Sequence, residues 1–116
     1  MTGPAPTSAN QPRWTFLTNH AHVMLCIAKE PDIRLRDIAL WVGISERAVH
    51  QIVKDLEAGG YVMRTRSGRR NHYRIHPDRP LRHPRENHHD VGELLTALAA
   101  GSPGRSTPRP APRETW

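Results

Sequence analysis

The sequence predicts an α+β fold that is mainly α-helical, with a core of three helices, a β-hairpin and one additional C-terminal helix. Two observations lead to this fold. Apolar residues recur at helical spacing in three successive segments before Gly59. The third segment then runs directly into two stretches of alternating residues that a turn separates.

The length of 116 residues allows one small domain with tails. Residues 1–12 lack large apolar side chains apart from Met1, and residues 101–116 are rich in Pro, Gly and Ser, so both are predicted to be disordered. Residues 13–76 form the predicted main domain, and residues 77–100 a polar linker with the last helix. No apolar run is long enough to cross a membrane and no signal peptide is visible, so a cytoplasmic, nucleoid-associated protein is expected.

The first helix is expected to follow an extended segment at residues 14–17. Thr18 or Asn19 can cap it, because their side chains accept hydrogen bonds from free backbone amides, and Pro31 ends it. Its apolar face repeats at helical spacing: Val23, Met24, Ile27 and Ala28. The single cysteine, Cys26, lies among apolar neighbours and is interpreted as a structural thiol.

The second and third helices meet at a short turn. Gly43 supplies the left-handed backbone that ends the second helix, Ile44 fills the turn, and Ser45 caps the third. The apolar face of the second helix comprises Leu35, Ile38, Ala39 and Val42. The third helix is predicted at about residues 46–58, with this apolar face: Ala48, Val49, Ile52, Val53 and Leu56.

A β-hairpin and a last helix complete the prediction. Residues 61–66 and 72–75 alternate with period two around a turn at residues 67–71. The last helix begins at Asp90, which forms a capping box with Glu93. Its apolar stripe is larger than a short terminal helix needs, and with Trp14 and Phe16 it predicts a homodimer; the stripe comprises Leu94, Leu95 and Leu98.

Basic residues are concentrated in the hairpin. The net charge of the chain is +6, and five arginines fall within residues 64–74, where there is no acidic residue. A charged hairpin edge also protects against aggregation, but one or two lysines would serve that purpose. The side chains opposite the apolar stripe of the third helix can all bond base edges or phosphates. That face is also what a solvated surface helix presents.

The run from Leu35 to Ile75 resembles the winged helix-turn-helix transcription regulators, nearest to the small MarR-like and ArsR-like bacterial repressors. The matching pattern is Leu-x-x-Ile-Ala-x-x-Val-Gly-Ile-Ser, then Arg-Ala-Val-x-x-Ile-Val-x-x-Leu-Glu-x-x-Gly-Tyr-Val, then Gly-Arg-Arg-x-x-Tyr. The resemblance implies that residues 46–58 enter the major groove of double-stranded DNA and that the wing, residues 64–74, contacts the backbone or the minor groove. One short C-terminal helix and one cysteine depart from the family, so neither an effector pocket nor a cysteine metal site is expected.

Thirteen residues are therefore predicted to contact DNA. Arg47 could read guanine, Gln51 could read adenine, and Lys54 suits a phosphate. The full set is Arg34, Arg36, Ser45, Glu46, Arg47, His50, Gln51, Lys54, Arg64, Arg66, Arg69, Arg70 and His72.

Two other functions remain open at this point. A winged-helix module could instead dock on an acidic, transcription-related protein partner. A metal-responsive regulator could use the histidines, namely His20, His22, His83, His88 and His89. No nucleophile–base arrangement or phosphate-cradling glycine loop is visible, so an enzyme is not predicted. No cofactor, bound metal or membrane partner is predicted either.

Overall fold

In a computed structural model of the chain, the structure describes residues 12–99, which form four α-helices and one antiparallel β-hairpin. The elements in chain order are α1 (Asn19–Lys29), α2 (Leu35–Val42), α3 (Glu46–Ala58), β1 (Val62–Ser67), β2 (Arg70–Ile75) and α4 (Val91–Ala99). This is the α+β, mainly helical fold that the sequence predicts. The predicted tails lie outside the described residues, except for Pro12. No helix among the described residues is long and apolar enough to cross a membrane.

The α1 helix begins at the first of its two predicted caps. The Thr18 hydroxyl accepts a hydrogen bond from the Ala21 amide at 3.2 Å. Three of the four predicted apolar residues of α1 are buried, but Ala28 is exposed. Burial raises the pKa of the Cys26 thiol, with a smaller contribution from the charge of Glu30. The thiol therefore stays protonated at neutral pH, in agreement with a structural role.

The turn between α2 and α3 has the predicted chemistry. Gly43 adopts a left-handed backbone with φ of 85°, and its amide donates to the Ala39 carbonyl at 2.8 Å. The Ser45 hydroxyl accepts from the Ala48 amide at 3.0 Å and so caps α3. Because both ends of this short turn are fixed, the direction in which α3 leaves α2 is fixed as well.

The core lies where α1, α2 and α3 meet. Its four most completely buried side chains are Val23, Ile27, Ile38 and Val49. Each such side chain contributes roughly 1.5–3 kcal/mol through burial of apolar surface. All three helices pack on one another, so α3 is held by one face and presents the other to solvent.

The hairpin has a tighter turn than the sequence predicts. Ser67 pairs with Arg70, which leaves only Gly68 and Arg69 in the turn. Gly68 has a φ of 67°, and glycine at the first position of a two-residue turn favours such a hairpin. The predicted five-residue turn is too long because strand pairing continues to its outer residues, including Asn71. The opposite edge of β2 is also tied down, since the Tyr73 amide donates to the Pro31 carbonyl at 3.0 Å.

The C-terminal helix packs on the rest of the domain. The Asp90 carboxylate accepts from the Glu93 amide at 3.0 Å, and the Glu93 carboxylate accepts from the Asp90 amide at 3.3 Å, which confirms the predicted capping box. Val91 and Leu95 are buried, and α4 contacts α1. Leu95 therefore does not belong to a free dimerisation stripe, whereas Leu98 remains 43% exposed.

The predicted polar linker is an ordered loop bound to the turn between α3 and β1. The Tyr61 hydroxyl donates to the Pro80 carbonyl at 2.5 Å. The Arg79 guanidinium donates to the Gly59 carbonyl at 3.1 Å. The backbone carbonyl of Arg79 accepts from the Val91 amide at 2.9 Å. These bonds join the loop to the end of α3 and the start of α4, so residues 77–90 brace the domain instead of separating two parts of it.

The segment at residues 14–17 contains no strand. Trp14 and Phe16 form an edge-to-face aromatic pair with ring centroids 5.0 Å apart. Both rings are largely solvent-exposed, at 67% and 91% respectively. The predicted extended segment is therefore an irregular lead into α1 that presents two aromatic rings at the surface.

Ile38→Val is expected to lower the free energy of unfolding by about 0.5–1.5 kcal/mol, because it removes one methylene from a fully buried site. Leu40→Ala removes more apolar volume from the same helix at a position that is 54% exposed, and it should cost no more than about 0.5 kcal/mol. Denaturant unfolding of the full chain measures both changes. A larger loss for Leu40→Ala would contradict the assignment of the core.

Candidate nucleic-acid interface

The solvent-facing side of α3 carries the predicted contact residues of that helix. Its opposite face is buried through Val49, Ile52, Val53 and Leu56. At 100° per residue, three long polar side chains project directly away from this stripe: Arg47, Gln51 and Lys54. All three are exposed, as are Glu46 and His50 on one flank of the same face.

The side chain of Ser45 serves the helix itself. Its hydroxyl oxygen accepts the capping bond from the Ala48 amide. The hydroxyl hydrogen is not used in that bond and can still be donated. Ser45 can thus cap α3 and contact a ligand at the start of the helix at the same time.

A carboxylate that was not among the predicted contact residues lies within the polar face of α3. Asp55 accepts a hydrogen bond from the Gln51 amide nitrogen at 3.1 Å. Its second oxygen lies 2.8 Å from Nε2 of His20 at the start of α1. The hydrogen bonds from His20 and then from Gln51 lower the pKa of the Asp55 carboxyl. Asp55 therefore stays ionised and is engaged on both of its oxygens.

The five arginines of the wing do not form one surface. Residues opposite each other in an antiparallel pair share a face. Arg64 and Arg66 lie on the face that packs onto the helices at the base of the hairpin, whereas Arg70 and Arg74 lie on the other face. Arg69 occupies the turn between the strands. The wing therefore presents positive charge on both faces and at its tip.

One wing arginine is neutralised by an acid on α3. Nε of Arg64 lies 3.2 Å from Oε2 of Glu57, and both side chains are partly exposed. Within residues 12–99, Arg64 is the only arginine in an ion pair. The contact also places the base of the wing against the last turn of α3. The remaining wing arginines keep their charge available for an anionic ligand.

A cleft between the start of α2 and the tip of the wing brings further predicted residues together. Its volume is about 220 Å³, and its lining includes the three arginines Arg34, Arg69 and Arg70. Although Arg34 and Arg70 are far apart in sequence, they line the same cleft, which a single phosphate group could enter. Arg36 is exposed but does not line it. Arginines from the start of α2 and from the wing therefore meet at one surface, which suits an anionic ligand.

His72 is held by an acid at the same place. Its Nδ1 lies 2.6 Å from Oδ1 of Asp32, and Asp32 also lines the cleft. The pair fixes the histidine ring beside the arginine cleft. Because Asp32 holds the ring, His72 has a defined position at this surface and can still form a hydrogen bond of its own.

The predicted histidines do not come together as one set among the described residues. His89 lies 2.5 Å from Glu93, and this bond, followed by the Asp90 amide, lowers the pKa of the Glu93 carboxyl. The His88 and His89 rings contact each other at a centroid distance of 4.2 Å. Across residues 12–99 there is no group of three or more His, Cys, Asp or Glu side chains arranged to hold a metal ion. No metal site is proposed on these residues.

The sequence predicts the polar face of α3, the wing and Arg34, but not the acidic neighbours of these residues. Three acidic residues each hold one of the predicted contact residues. Asp32 pairs with His72, 40 positions away, and Glu57 pairs with Arg64, 7 positions away. Asp55 pairs with Gln51, one helical turn away. Only the Gln51–Asp55 pair has a sequence signal, because residues four apart share a face of a helix. The other pairs depend on tertiary packing.

Comparison with known proteins agrees with this geometry. Residues 19–63, from the start of α1 to the start of β1, match the family described as winged helix-turn-helix DNA-binding. This segment is therefore similar to winged helix-turn-helix DNA-binding domains, in agreement with the fold that the sequence predicts. No curated protein matches the sequence.

Among solved structures, the chain is similar to the PcaV transcriptional regulator from Streptomyces coelicolor, crystallised in complex with its natural ligand. The two share 21% sequence identity with a TM-score of 0.49, and the match covers 76% of this chain. The chain spans 64% of the length of that regulator.

Glu57→Gln is expected to raise the affinity for duplex DNA at low salt by roughly twofold or more, because it removes a negative charge near the interface and releases Arg64. The free energy of unfolding should change by less than about 1 kcal/mol, since the ion pair is partly exposed. Fluorescence anisotropy with a labelled duplex measures the affinity. Glu86→Gln, in the loop before α4, is the charge-matched control and should have no effect. Equal affinities for all three proteins would show that the base of the wing lies away from DNA.

Proposed function

We propose that this winged helix-turn-helix DNA-binding domain regulates transcription by binding specific sites in double-stranded DNA. The observation that carries the proposal is the convergence of three arginines from α2 and the wing on one cleft, beside an α3 whose outer face carries long polar side chains. A polyanion accounts for this concentration of unpaired positive charge. A helix of this kind fits the major groove.

In the proposed complex, α3 reads base edges. Arg47 donates its planar guanidinium to a guanine, and the carboxamide of Gln51 pairs with an adenine. Lys54, which projects from the same face, contacts a phosphate. The surface that faces the groove is completed by the cap residue Ser45 and, in the first half of α3, by Glu46 and His50.

The wing and the start of α2 bind the backbone. Arg69 and Arg70 contact phosphates or the adjacent minor groove together with Arg34, and Arg36 contacts a neighbouring phosphate. Further contacts with the backbone come from residues along the strands of the wing, namely Arg64, Arg66 and His72. Phosphate contacts of this kind supply most of the affinity and fix the register of the protein, whereas the base contacts of α3 supply the sequence preference.

In this proposal, the loop before α4 and the DNA-binding unit are not two separable parts. Residues 13–76 form the DNA-binding unit, and the loop at residues 77–90 braces it, because the Pro80 carbonyl accepts from Tyr61 and Arg79 donates to the Gly59 carbonyl. The protein acts in the cytoplasm, at the nucleoid. A docking module for an acidic protein partner would share the positive charge, but it would not need a base-reading face on α3.

Replacing Arg69 and Arg70 by Ala should weaken binding to all duplex sequences. It should also flatten the slope of log K against log salt by roughly one to two units, because fewer counterions leave the DNA on binding when phosphate contacts are lost. Titrations of a random-sequence duplex at several salt concentrations measure the slope. Arg85→Ala, in the loop before α4, should leave it unchanged. Wild-type affinity of the double variant at every salt concentration would disprove the assignment of the wing. Failure of the wild-type protein to bind duplex DNA would favour the acidic protein partner.

We also propose that the protein is a homodimer, held by apolar surface that its own fold leaves uncovered. Trp14 and Phe16 are exposed before α1, and Leu98 is exposed on α4, which packs against α1. Light scattering of the full chain at micromolar concentration without DNA should give twice the mass of one chain. Replacing Trp14 and Phe16 by Ser should shift the mass toward that of a monomer, whereas Trp41→Ser, on α2, should not. A monomeric wild-type mass would contradict the proposal.

A further inference from the structure

Asp55 is an unexpected residue on a helix face proposed to meet DNA. It lies one turn after Gln51 on α3, and its side chain is about half exposed. A carboxylate at such a position repels the phosphates that surround the groove. Charge alone would therefore favour almost any other residue here, so the carboxylate needs an explanation in what it binds.

Both oxygens of this carboxylate are in use. Oδ1 accepts from Nε2 of Gln51 at 3.1 Å, and Oδ2 lies 2.8 Å from Nε2 of His20. His20 belongs to the first turn of α1, a different element from α3. A carboxylate held from α1 cannot turn freely, so it offers Gln51 an acceptor at a fixed place. Hydrogen bonds to ionised acceptors are also stronger than those between neutral groups.

We infer that Asp55 is a positioning residue, which orients the carboxamide of Gln51 for an adenine edge in the major groove. The inference rests on the proposed function. An amide nitrogen carries two hydrogens. One is donated to Asp55, and the other remains beside Oε1, so a donor and an acceptor stay available together. Adenine presents the matching pair in the major groove, an acceptor at N7 and a donor at N6.

The geometry also explains why the carboxylate is tolerated. Asp55 gains two hydrogen bonds, and these lower its pKa, so it remains an acceptor at neutral pH. His20 supplies a donor from the side of α1 and limits the exposed negative charge. Without Asp55, the long side chain of Gln51 would have to be immobilised by the base itself, and part of the binding free energy would be lost as rotamer entropy.

The experiment compares wild type with Asp55→Ala, Gln51→Ala and the double variant. The probes are the duplex that the full wild-type chain recovers from a random-sequence pool, its single-base-pair variants and an unrelated duplex. Asp55→Ala should reduce discrimination at the base pair read by Gln51 by roughly threefold to tenfold, the loss expected for one hydrogen bond. Affinity for the unrelated duplex should stay the same or rise, because a negative charge is removed. Adding Asp55→Ala to Gln51→Ala should change discrimination no further.

Asp55→Asn is the conservative control, because its amide oxygen can still accept from Gln51; it should retain more discrimination than Asp55→Ala. A role as a simple tie between α1 and α3 would instead lower the thermal stability of Asp55→Ala and His20→Ala alike and leave discrimination unchanged, which would overturn the inference. So would an equal effect of Asp55→Ala with and without Gln51. If Gln51→Ala itself affected no base pair, the proposed reading of DNA by Gln51 would fail, and the inference with it.

Discussion

The structure depends on the burial of one face of α3 against α1 and α2. Val49 on α3 and Ile38 on α2 are fully buried in the same small core as Val23 and Ile27 of α1. A core of this size supports a domain only if its apolar residues fit together closely. The turn at Gly43 and the Ser45 cap then determine where α3 begins. Since the buried stripe fixes the rotation of α3 about its own axis, the polar residues on its outer face are fixed by the core, although they take no part in it.

The wing is also positioned by the burial of apolar side chains, although fewer of them are buried than in the helical core. Val62 and Tyr73 are buried at the base of the hairpin, and the Tyr73 amide is bonded to Pro31. Apart from Asn71 and Ile75, which are partly buried, the rest of the hairpin is exposed, so its tip can carry arginines without any burial of charge. The loop before α4 strengthens this arrangement, because Tyr61 and Arg79 tie it to the junction of α3 and β1. The loop at residues 77–90 thus braces the junction of α3 and the wing, which the order of elements alone does not show.

Much of the fold could be predicted from local signals. The apolar spacing and the Gly43 and Ser45 pair predict α3 at residues 46–58, where the structure places it. The alternation around Gly68 predicts the hairpin, although not its short turn, since strand pairing outcompetes a local preference for turn residues. What could not be predicted depends on contacts between distant segments. The bond from Tyr61 to Pro80 and the pairing of His20 with Asp55 join residues 19 and 35 positions apart. Leu95 of the predicted α4 stripe was misassigned for the same reason, because α4 packs against α1 only in the folded chain.

The proposed DNA interface combines a general and a specific part, and the two make different demands on the residues. In this proposal, the arginines at the wing tip and Arg34 need only approach phosphates, which flexible side chains can do. The proposed base reading by α3 needs fixed geometry, which the core and the inferred role of Asp55 would supply. The central claim is that this surface reads duplex DNA by sequence. Selection of duplexes from a random-sequence pool by the full chain tests it most directly. The account predicts enrichment of one common site, which should be palindromic if the protein binds as a homodimer. Recovered duplexes with no shared sequence, or none above the background of the starting pool, would contradict it.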